Sequence, residues 1–163
     1  MKKKFKSSFT HSSKTYKNEI DIYKKRLDTV NLTWCNQVID LIENYNIKSI
    51  KDIGCNYFQF YKELKLRKLN INYFGYDMDE EFVKLGLTKF PELKKKYKIG
   101  NCEKIKLLKT DFSIMSAVLE HVDNPEFFIM KTLSLADTET HLFFQFPSAE
   151  SIINNCSFDQ IHH

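Results

Sequence analysis

The stretch IKSIKDIGCNYF, residues 47–58, decides the fold of this chain. It starts as a short run rich in isoleucine over residues 47–53 and changes at Gly54 into a turn. From Tyr57 to about residue 68 the apolar side chains then recur at helical spacing. A short buried strand that ends in a glycine turn and leads into a helix is the first half of a β–α–β unit, so the stretch predicts an α/β fold.

The alternation of strands and helices continues along the chain. The pattern predicts further strands at 73–76, 97–99, 112–118 and 141–146, and helices at 17–28, 30–45, 79–90 and from 124 onward. This order predicts a mainly parallel sheet of about five strands with helices on both faces. Because ligands bind at the carboxyl ends of the strands in such sheets, we look for functional residues there.

The positive charge of the chain is concentrated at its amino terminus. The net charge is +4, and residues 1–18 carry six lysines and no acidic residue. We therefore divide the chain into residues 1–46, a basic arm with covering helices, and residues 47–163, the ligand-binding domain. A solvated arm is the expected role of the first lysines. The nearly neutral body has no basic aromatic stripe on which bases would stack, so nucleic acid is not an expected partner.

Cysteine spacing and hydropathy indicate the compartment. The four cysteines, at positions 35, 55, 102 and 156, form no C-x-x-C pair, which predicts reduced thiols and no metal site. No apolar run approaches the roughly 20 residues that are needed to span a bilayer. The sequence therefore predicts a cytoplasmic protein that does not bind a membrane.

The ends of the first two strands predict a nucleoside-like ligand. Asp77 ends the second strand, where a carboxylate can accept hydrogen bonds from both ribose hydroxyls. A dinucleotide needs a glycine-rich G-x-G-x-x-G loop close to its pyrophosphate, but this loop has Gly54 alone, and Phe58 crowds a phosphate. S-adenosylmethionine carries no phosphate, so the loop favours it over NAD. An NAD(P)-dependent oxidoreductase is a weaker alternative, and an ordinary strand–turn–helix corner with an incidental Asp stays open.

Four segments in order then resemble the class I S-adenosylmethionine-dependent methyltransferase family, over about residues 47–150. Residues 52–56 resemble its D-x-G-x-G loop, 73–77 its ribose-binding strand end and 100–103 its G-D-A-E segment. Residues 116–122, SAVLEHV, followed by Asp123, Asn124 and Pro125, resemble its most specific segment. The resemblance implies a Rossmann-like three-layer sandwich.

The resemblance also implies roles for single residues. The cofactor-binding residues would be Asp52, Gly54 and Asn56 at the methionine end, Asp77 at the ribose, Met78 on adenine, Asn101 and Cys102 at the adenine edge, and Ser116 and Val118 beneath the reacting methyl. The cofactor would be S-adenosylmethionine, with S-adenosylhomocysteine as the product. A hydroxyl acceptor needs a base, for which His121 and His162 are the first candidates and Glu120 and His163 the others.

The function implied is methylation of a small molecule, with oxygen as the target. Because relatives with L-E-H-V and I-H-H stretches often serve polysaccharide synthesis, a bacterial saccharide is the expected acceptor class. Two departures keep a non-catalytic binding module open as an alternative. Phe58 replaces a family glycine and would narrow the pocket, and Asn56 and Asn101 replace a glycine and an aspartate. The family sheet has seven strands, so five strands imply either a truncated methyltransferase or a homo-oligomer that covers the open sheet edge.

Overall fold

The computed structural model describes Asp21 and residues 33–145, and every structural statement below concerns these residues. Their elements in chain order are α1 (Thr33–Asn44), β1 (Ser49–Ile53), α2 (Gln59–Leu66), β2 (Asn72–Asp77), α3 (Glu80–Lys89), β3 (Tyr97–Ile99), β4 (Phe112–Ser116), α4 (Pro125–Leu133) and β5 (His141–Gln145). Short 3₁₀ turns cover Pro91–Leu93 and Leu119–His121. The predicted helix at 17–28 and the candidates His162 and His163 lie outside the described segment 33–145.

The strands form one parallel sheet in the order β3-β2-β1-β4-β5. β1 lies at the centre, with Asp52 opposite Gly75 of β2 and opposite Ile114 of β4. All four neighbouring pairs are parallel. This sheet confirms the predicted α/β fold with a Rossmann-like sheet. Because all five strands run in the same direction, their carboxyl ends lie at one edge of the sheet.

Each face of the sheet has its own apolar core. On one face, strand residues such as Ile50 and Ile114 pack with α1, α2 and α3, a cluster that includes Ile39, Phe60 and Val83. On the other face, Ile53, Tyr76 and Met115 pack with Phe128 of α4. Successive strand residues face opposite sides, so the near-continuous apolar runs of β1 and β4 supply both cores.

Three element boundaries differ from those predicted, each for a local reason. β4 ends at Ser116 rather than at residue 118, because Ala117 has a left-handed backbone with φ 53°. α2 begins at Gln59 rather than at residue 57, because Phe58 has φ 64°. β1 begins at Ser49, where the Asp111 carboxylate accepts the N–H groups of residues 48 and 49 at 3.0 and 2.8 Å.

Within residues 33–145 no helix has both the length and the apolar composition needed to cross a bilayer. Among the same residues, no three His, Cys, Asp or Glu side chains are grouped so that they could hold a metal ion.

Candidate cofactor-binding site

The carboxyl ends of the strands bring most of the predicted site residues to one edge of the sheet. Backbone hydrogen bonds join the neighbouring ends: Gly100 donates to the Asp77 carbonyl at 2.8 Å, and Gly54 donates to the Tyr76 carbonyl at 2.8 Å. Along this edge lie Asn101 and Cys102 after β3, Asp77 and Met78 after β2, Gly54 and Asn56 after β1, and Ser116 and Val118 after β4. Eight of the nine predicted cofactor residues therefore lie along one edge of the sheet, and the ninth, Asp52, lies within β1.

Gly54 allows the turn at the end of β1 for two separate reasons. Its φ is +77°, which side chains rarely adopt, and a Cβ built on it would lie 2.4 Å from Cγ2 of Val118. Val118 is 9% exposed and belongs to the core beneath this edge. The turn after β1 and the turn after β4 thus approach each other so closely that only glycine fits.

We expect Gly54→Ala to lower the free energy of unfolding by about 2–3 kcal/mol, from the left-handed backbone and the overlap with Val118. Urea unfolding of the two single variants and of Gly54→Ala/Val118→Ala measures the overlap separately. The double variant should recover about 1 kcal/mol relative to the sum of the single effects. Strict additivity would show that the two turns are not in contact.

The Asp77 carboxylate at this edge is held by backbone N–H groups on both of its oxygens. Its Oδ2 accepts the Asn56 N–H at 2.7 Å and its Oδ1 accepts the Asp79 N–H at 2.9 Å. Burial raises the pKa of Asp77, while these backbone N–H groups act in the opposite direction. A carboxylate offers about four acceptor positions. The Met78 N–H also acts on this carboxylate, so its remaining acceptor capacity would serve a ribose, and the half-buried side chain is partly open to a ligand.

The adenine side of the edge combines an apolar cover with a fixed amide. Met78 directly follows Asp77 and is 67% exposed, so its side chain is available to lie on a ring. Asn101 and Cys102 are half-exposed after β3. The Asn101 Oδ1 accepts the Glu103 N–H at 2.8 Å, which leaves the amide NH₂ as the donor. These residues fit an adenosine, because they supply an apolar surface and one hydrogen-bonding group beside the Asp77 carboxylate.

Phe58 does not crowd this edge, which corrects the expectation that it narrows the pocket. Its ring is 0% exposed and belongs to the core between the sheet and α2 and α3. A Cβ built on Gly75 would lie 2.9 Å from the ring, and a Cβ built on Gly86 would lie 2.6 Å from it. The two glycines make room for the phenyl ring, so Phe58 has the left-handed backbone of a family glycine while its side chain fills the core.

Asp52 is buried below the loop. It is 5% exposed, and its Oδ2 accepts the hydroxyl of Tyr73 at 2.6 Å. Burial raises its pKa to about 7, the Tyr73 hydrogen bond lowers it, and the charge of Asp77 raises it. Its direct contact with the methionine end stays a prediction, and in the described structure its carboxylate bonds to Tyr73 of the neighbouring strand.

We expect Asp52→Asn to flatten the pH dependence of stability. The pKa of Asp52 is about 7 in the folded chain, against an ordinary value of 3.8. Folding therefore favours the protonated form, whose contribution is complete below about pH 4 and is lost as the pH rises to about 7. Urea unfolding at pH 5 and pH 8 should show a larger loss of stability for the wild type than for Asp52→Asn.

Tyr73→Phe is the matched control for that experiment. Removing the hydroxyl removes the hydrogen bond that stabilises the charged carboxylate, so the pKa of Asp52 should rise further. The loss of stability between pH 5 and pH 8 should then exceed that of the wild type. Equal slopes for all three proteins would show that Asp52 titrates normally.

The turn after β4 is held by a residue that the sequence did not single out. Gln145, at the end of β5, accepts the Ser116 hydroxyl on its Oε1 at 2.8 Å and the Ala117 N–H on its carbonyl at 2.8 Å. His121 follows at the end of the 3₁₀ turn and is exposed. Ser116, Val118 and His121 therefore share the half of the edge formed by β4 and β5.

Two open grooves lie at the opposite, amino-terminal edge of the sheet. Both are lined by Asp111 and Glu139, the first also by Lys109 and Asp137 and the second by Tyr45 and His141. None of the predicted site residues that fall within residues 33–145 lines them. The Asp77 carboxylate, which is predicted to bind the ribose, thus lies at the other end of the strands.

A parallel sheet ordered 3-2-1-4-5, with a glycine turn after β1 and a carboxylate after β2, defines an adenosine-binding α/β domain. The sequence matches the family described as the methyltransferase domain over residues 51–136, more than half of the chain. The chain belongs to this family, whose class I members depend on S-adenosylmethionine. Of the two cofactors considered for the loop after β1, the family match supports S-adenosylmethionine and not NAD.

Similar solved structures show the same fold. The plantazolicin methyltransferase BpumL, in complex with a pentazolic desmethylPZN analog and S-adenosylhomocysteine, superposes with a TM-score of 0.65 at 15% identity, over 90% of this chain and 59% of that one. DesVI from Streptomyces venezuelae gives 0.64 at 10% identity, over 83% and 59%. A structure from Staphylococcus aureus assigned as a caffeoyl-CoA O-methyltransferase gives 0.58 at 15% identity, over 82% and 66%.

This chain covers less than two thirds of the length of each of these three structures. At such identities the likeness concerns the fold. No curated protein matches the sequence at significant similarity.

Proposed function

We propose that this chain transfers the methyl group of S-adenosylmethionine to a hydroxyl of a small molecule. The observation that carries the proposal is the Asp77 carboxylate, which ends β2 half-buried and keeps acceptor capacity beyond its bonds to Asn56 and Asp79. The resemblance of the Ser116–Val122 segment and the family match support the same activity.

The residues at this edge would each bind a different part of the cofactor. When bound, S-adenosylmethionine supplies a methyl group already activated by a sulfonium. Asp77 would fix the ribose, Met78 and Asn101 the base, and the Gly54 turn would leave room for the methionine end. Such positioning is the main contribution a protein makes to an in-line displacement, because it aligns the two reacting atoms and excludes water.

The acceptor would bind over the ends of β4 and β5. Ser116 and Gln145 already bond to each other there, and the exposed His121 follows within the same turn. A hydroxyl needs a base to take its proton during attack, whereas an amine needs little help. His121 is the candidate base of the described segment, and His162 remains a second candidate from the sequence.

The proposed acceptor class is a saccharide of bacterial polysaccharide synthesis. This step rests on the resemblance of LEHV at 119–122 and IHH at 161–163 to relatives of that kind. The Staphylococcus aureus structure, which is assigned as an O-methyltransferase, supports oxygen as the target atom.

Transfer of a radioactive methyl group from S-adenosylmethionine tests the proposal. The acceptors are UDP-glucose and UDP-N-acetylglucosamine as saccharides, catechol as a phenol, and histamine as an amine. We expect label in a saccharide hydroxyl. Label in histamine alone would overturn the oxygen assignment, and cofactor binding without transfer to any acceptor would favour the non-catalytic module.

We expect His121→Gln to lower kcat with the hydroxyl acceptor about 100-fold, which is the usual contribution of a general base. The affinity for S-adenosylhomocysteine should stay within about twofold, because His121 is not among the cofactor residues. His141→Gln is the matched control, since His141 begins β5 at the opposite edge of the sheet. An unchanged kcat for His121→Gln would remove His121 from the mechanism.

A further inference from the structure

Lys131 of α4 holds the start of the crossover segment, residues 100–111, which connects β3 to β4. Its Nζ donates to the carbonyls of Cys102, Glu103 and Ile105 at 2.9, 2.8 and 2.7 Å. A lysine ammonium has three N–H donors, so these bonds use all of them. The segment has no helix. Its turn at residues 101–105 is held by the Asn101 carbonyl, which accepts the N–H groups of Lys104 and Ile105 at 2.9 and 3.0 Å, and by Lys131 from another element.

Glu103 of the crossover segment in turn bonds to the backbone at the start of α4. Its carboxylate accepts the N–H groups of Asp123 and Asn124 at 3.1 and 3.0 Å. Asn124 is the N-cap of α4 and accepts the Phe127 N–H at 3.0 Å. We call Lys131, Glu103 and their five backbone partners the latch, because each side supplies a charged group that holds the backbone of the other.

The far half of the crossover segment is attached independently. The Leu108 N–H donates to the Tyr76 hydroxyl at 2.8 Å, and the Leu108 carbonyl accepts Lys51 Nζ at 3.0 Å. Lys51 is fully buried, and burial lowers its pKa to about 8. Loss of the latch would therefore loosen the Cys102–Glu103 peptide, while the backbone bonds of residues 100, 101 and 108 stay in place.

The latch reaches the predicted adenine edge through one peptide. Lys131 Nζ donates to the Cys102 carbonyl at 2.9 Å, and the N–H of the same peptide, that of Glu103, donates to the Asn101 Oδ1 at 2.8 Å. The Asn101 amide is thereby fixed with its NH₂ as the free donor. A fixed donor matches the unprotonated N1 of adenine and not the N1–H of hypoxanthine, whereas an amide that is free to flip can serve either base.

We propose that Lys131 and Glu103 are positioning residues that make the site select adenine over hypoxanthine, by holding Asn101 in one orientation. This inference rests on the proposed function, because it takes Asn101 as the residue at the base. Neither residue is one of the proposed cofactor-binding residues. Both act through the backbone of the crossover segment.

The test compares the affinities for S-adenosylhomocysteine and S-inosylhomocysteine by calorimetry. The wild type should prefer the adenine ligand by at least about tenfold, in the range of one base-specific contact. Lys131→Met should reduce that preference to less than about threefold, since it keeps the aliphatic stem and removes the three donors. Lys106→Met, an exposed lysine of the same segment, is the matched control and should keep the wild-type ratio.

The ratio of affinities distinguishes positioning from general loosening. If Lys131→Met weakens both ligands equally and keeps their ratio, the inference is overturned while the methyltransferase assignment stands. If the wild type binds neither ligand, the proposed function fails and the inference fails with it. If thermal melting shows that Lys131→Met does not fold, Glu103→Ala is measured in its place with the same reading, because it removes the reciprocal half of the latch.

Discussion

Asp77→Ala is expected to weaken the binding of S-adenosylhomocysteine about a thousandfold. Two ribose hydroxyls would lose a charged acceptor, and hydrogen bonds to charged groups contribute about 1.5–3 kcal/mol each. The variant also leaves the N–H groups of Asn56 and Asp79 without their acceptor, so the loop after β1 loses its organisation. Calorimetry at a temperature where the variant is folded measures the loss.

Asp79→Asn is the matched control, a second carboxylate only two positions along the chain. Asp79 caps α3 by accepting the N–H groups of Glu81 and Phe82 at 2.9 and 3.2 Å. Asparagine caps helices about as well as aspartate, so both stability and affinity should stay close to those of the wild type. If Asp77→Ala bound the ligand as tightly as Asp79→Asn, the ribose assignment would be wrong.

Phe58→Ala is expected to lower the free energy of unfolding by about 3–5 kcal/mol, because it empties a fully packed position in the core. The ring is 0% exposed and packs edge-on against Tyr73 with 6.2 Å between ring centroids. Alanine keeps the strain of the left-handed backbone, so Phe58→Gly should be less destabilised by about 1 kcal/mol. Urea unfolding of both variants measures this difference.

The same pair of variants decides whether Phe58 obstructs the cofactor. Because the ring lies in the core, neither variant should bind S-adenosylhomocysteine more tightly than the wild type when both are folded. Tighter binding by Phe58→Gly would mean that the ring reaches the pocket. Phe58→Leu, which keeps most of the apolar volume, should lose much less stability than Phe58→Ala.

The order of strands and helices could be predicted from the sequence because it depends on local patterns. The apolar runs that end at Gly54 and Asp77, and the helix start at Asn124 and Pro125, signal their structure within a few residues. Two of the boundary errors fall at residues other than glycine that have a positive φ, Phe58 and Ala117. Tertiary contacts impose that conformation, and a local pattern does not reveal it.

The direction of the Phe58 ring could not be predicted for the same reason. It depends on Gly75 and Gly86, which leave the space that the ring fills and lie on β2 and α3. The contacts of Lys131 and Gln145 are likewise long-range. Their partners lie 26–29 residues away along the chain, where sequence spacing carries no signal.

Whether this edge of the sheet binds S-adenosylmethionine can be measured by calorimetric titration of the wild-type chain with S-adenosylhomocysteine and, separately, with NAD. We predict saturable binding of S-adenosylhomocysteine at one site per chain and no binding of NAD. Binding of NAD alone, or of neither ligand, would contradict the assignment of this edge as a site for S-adenosylmethionine.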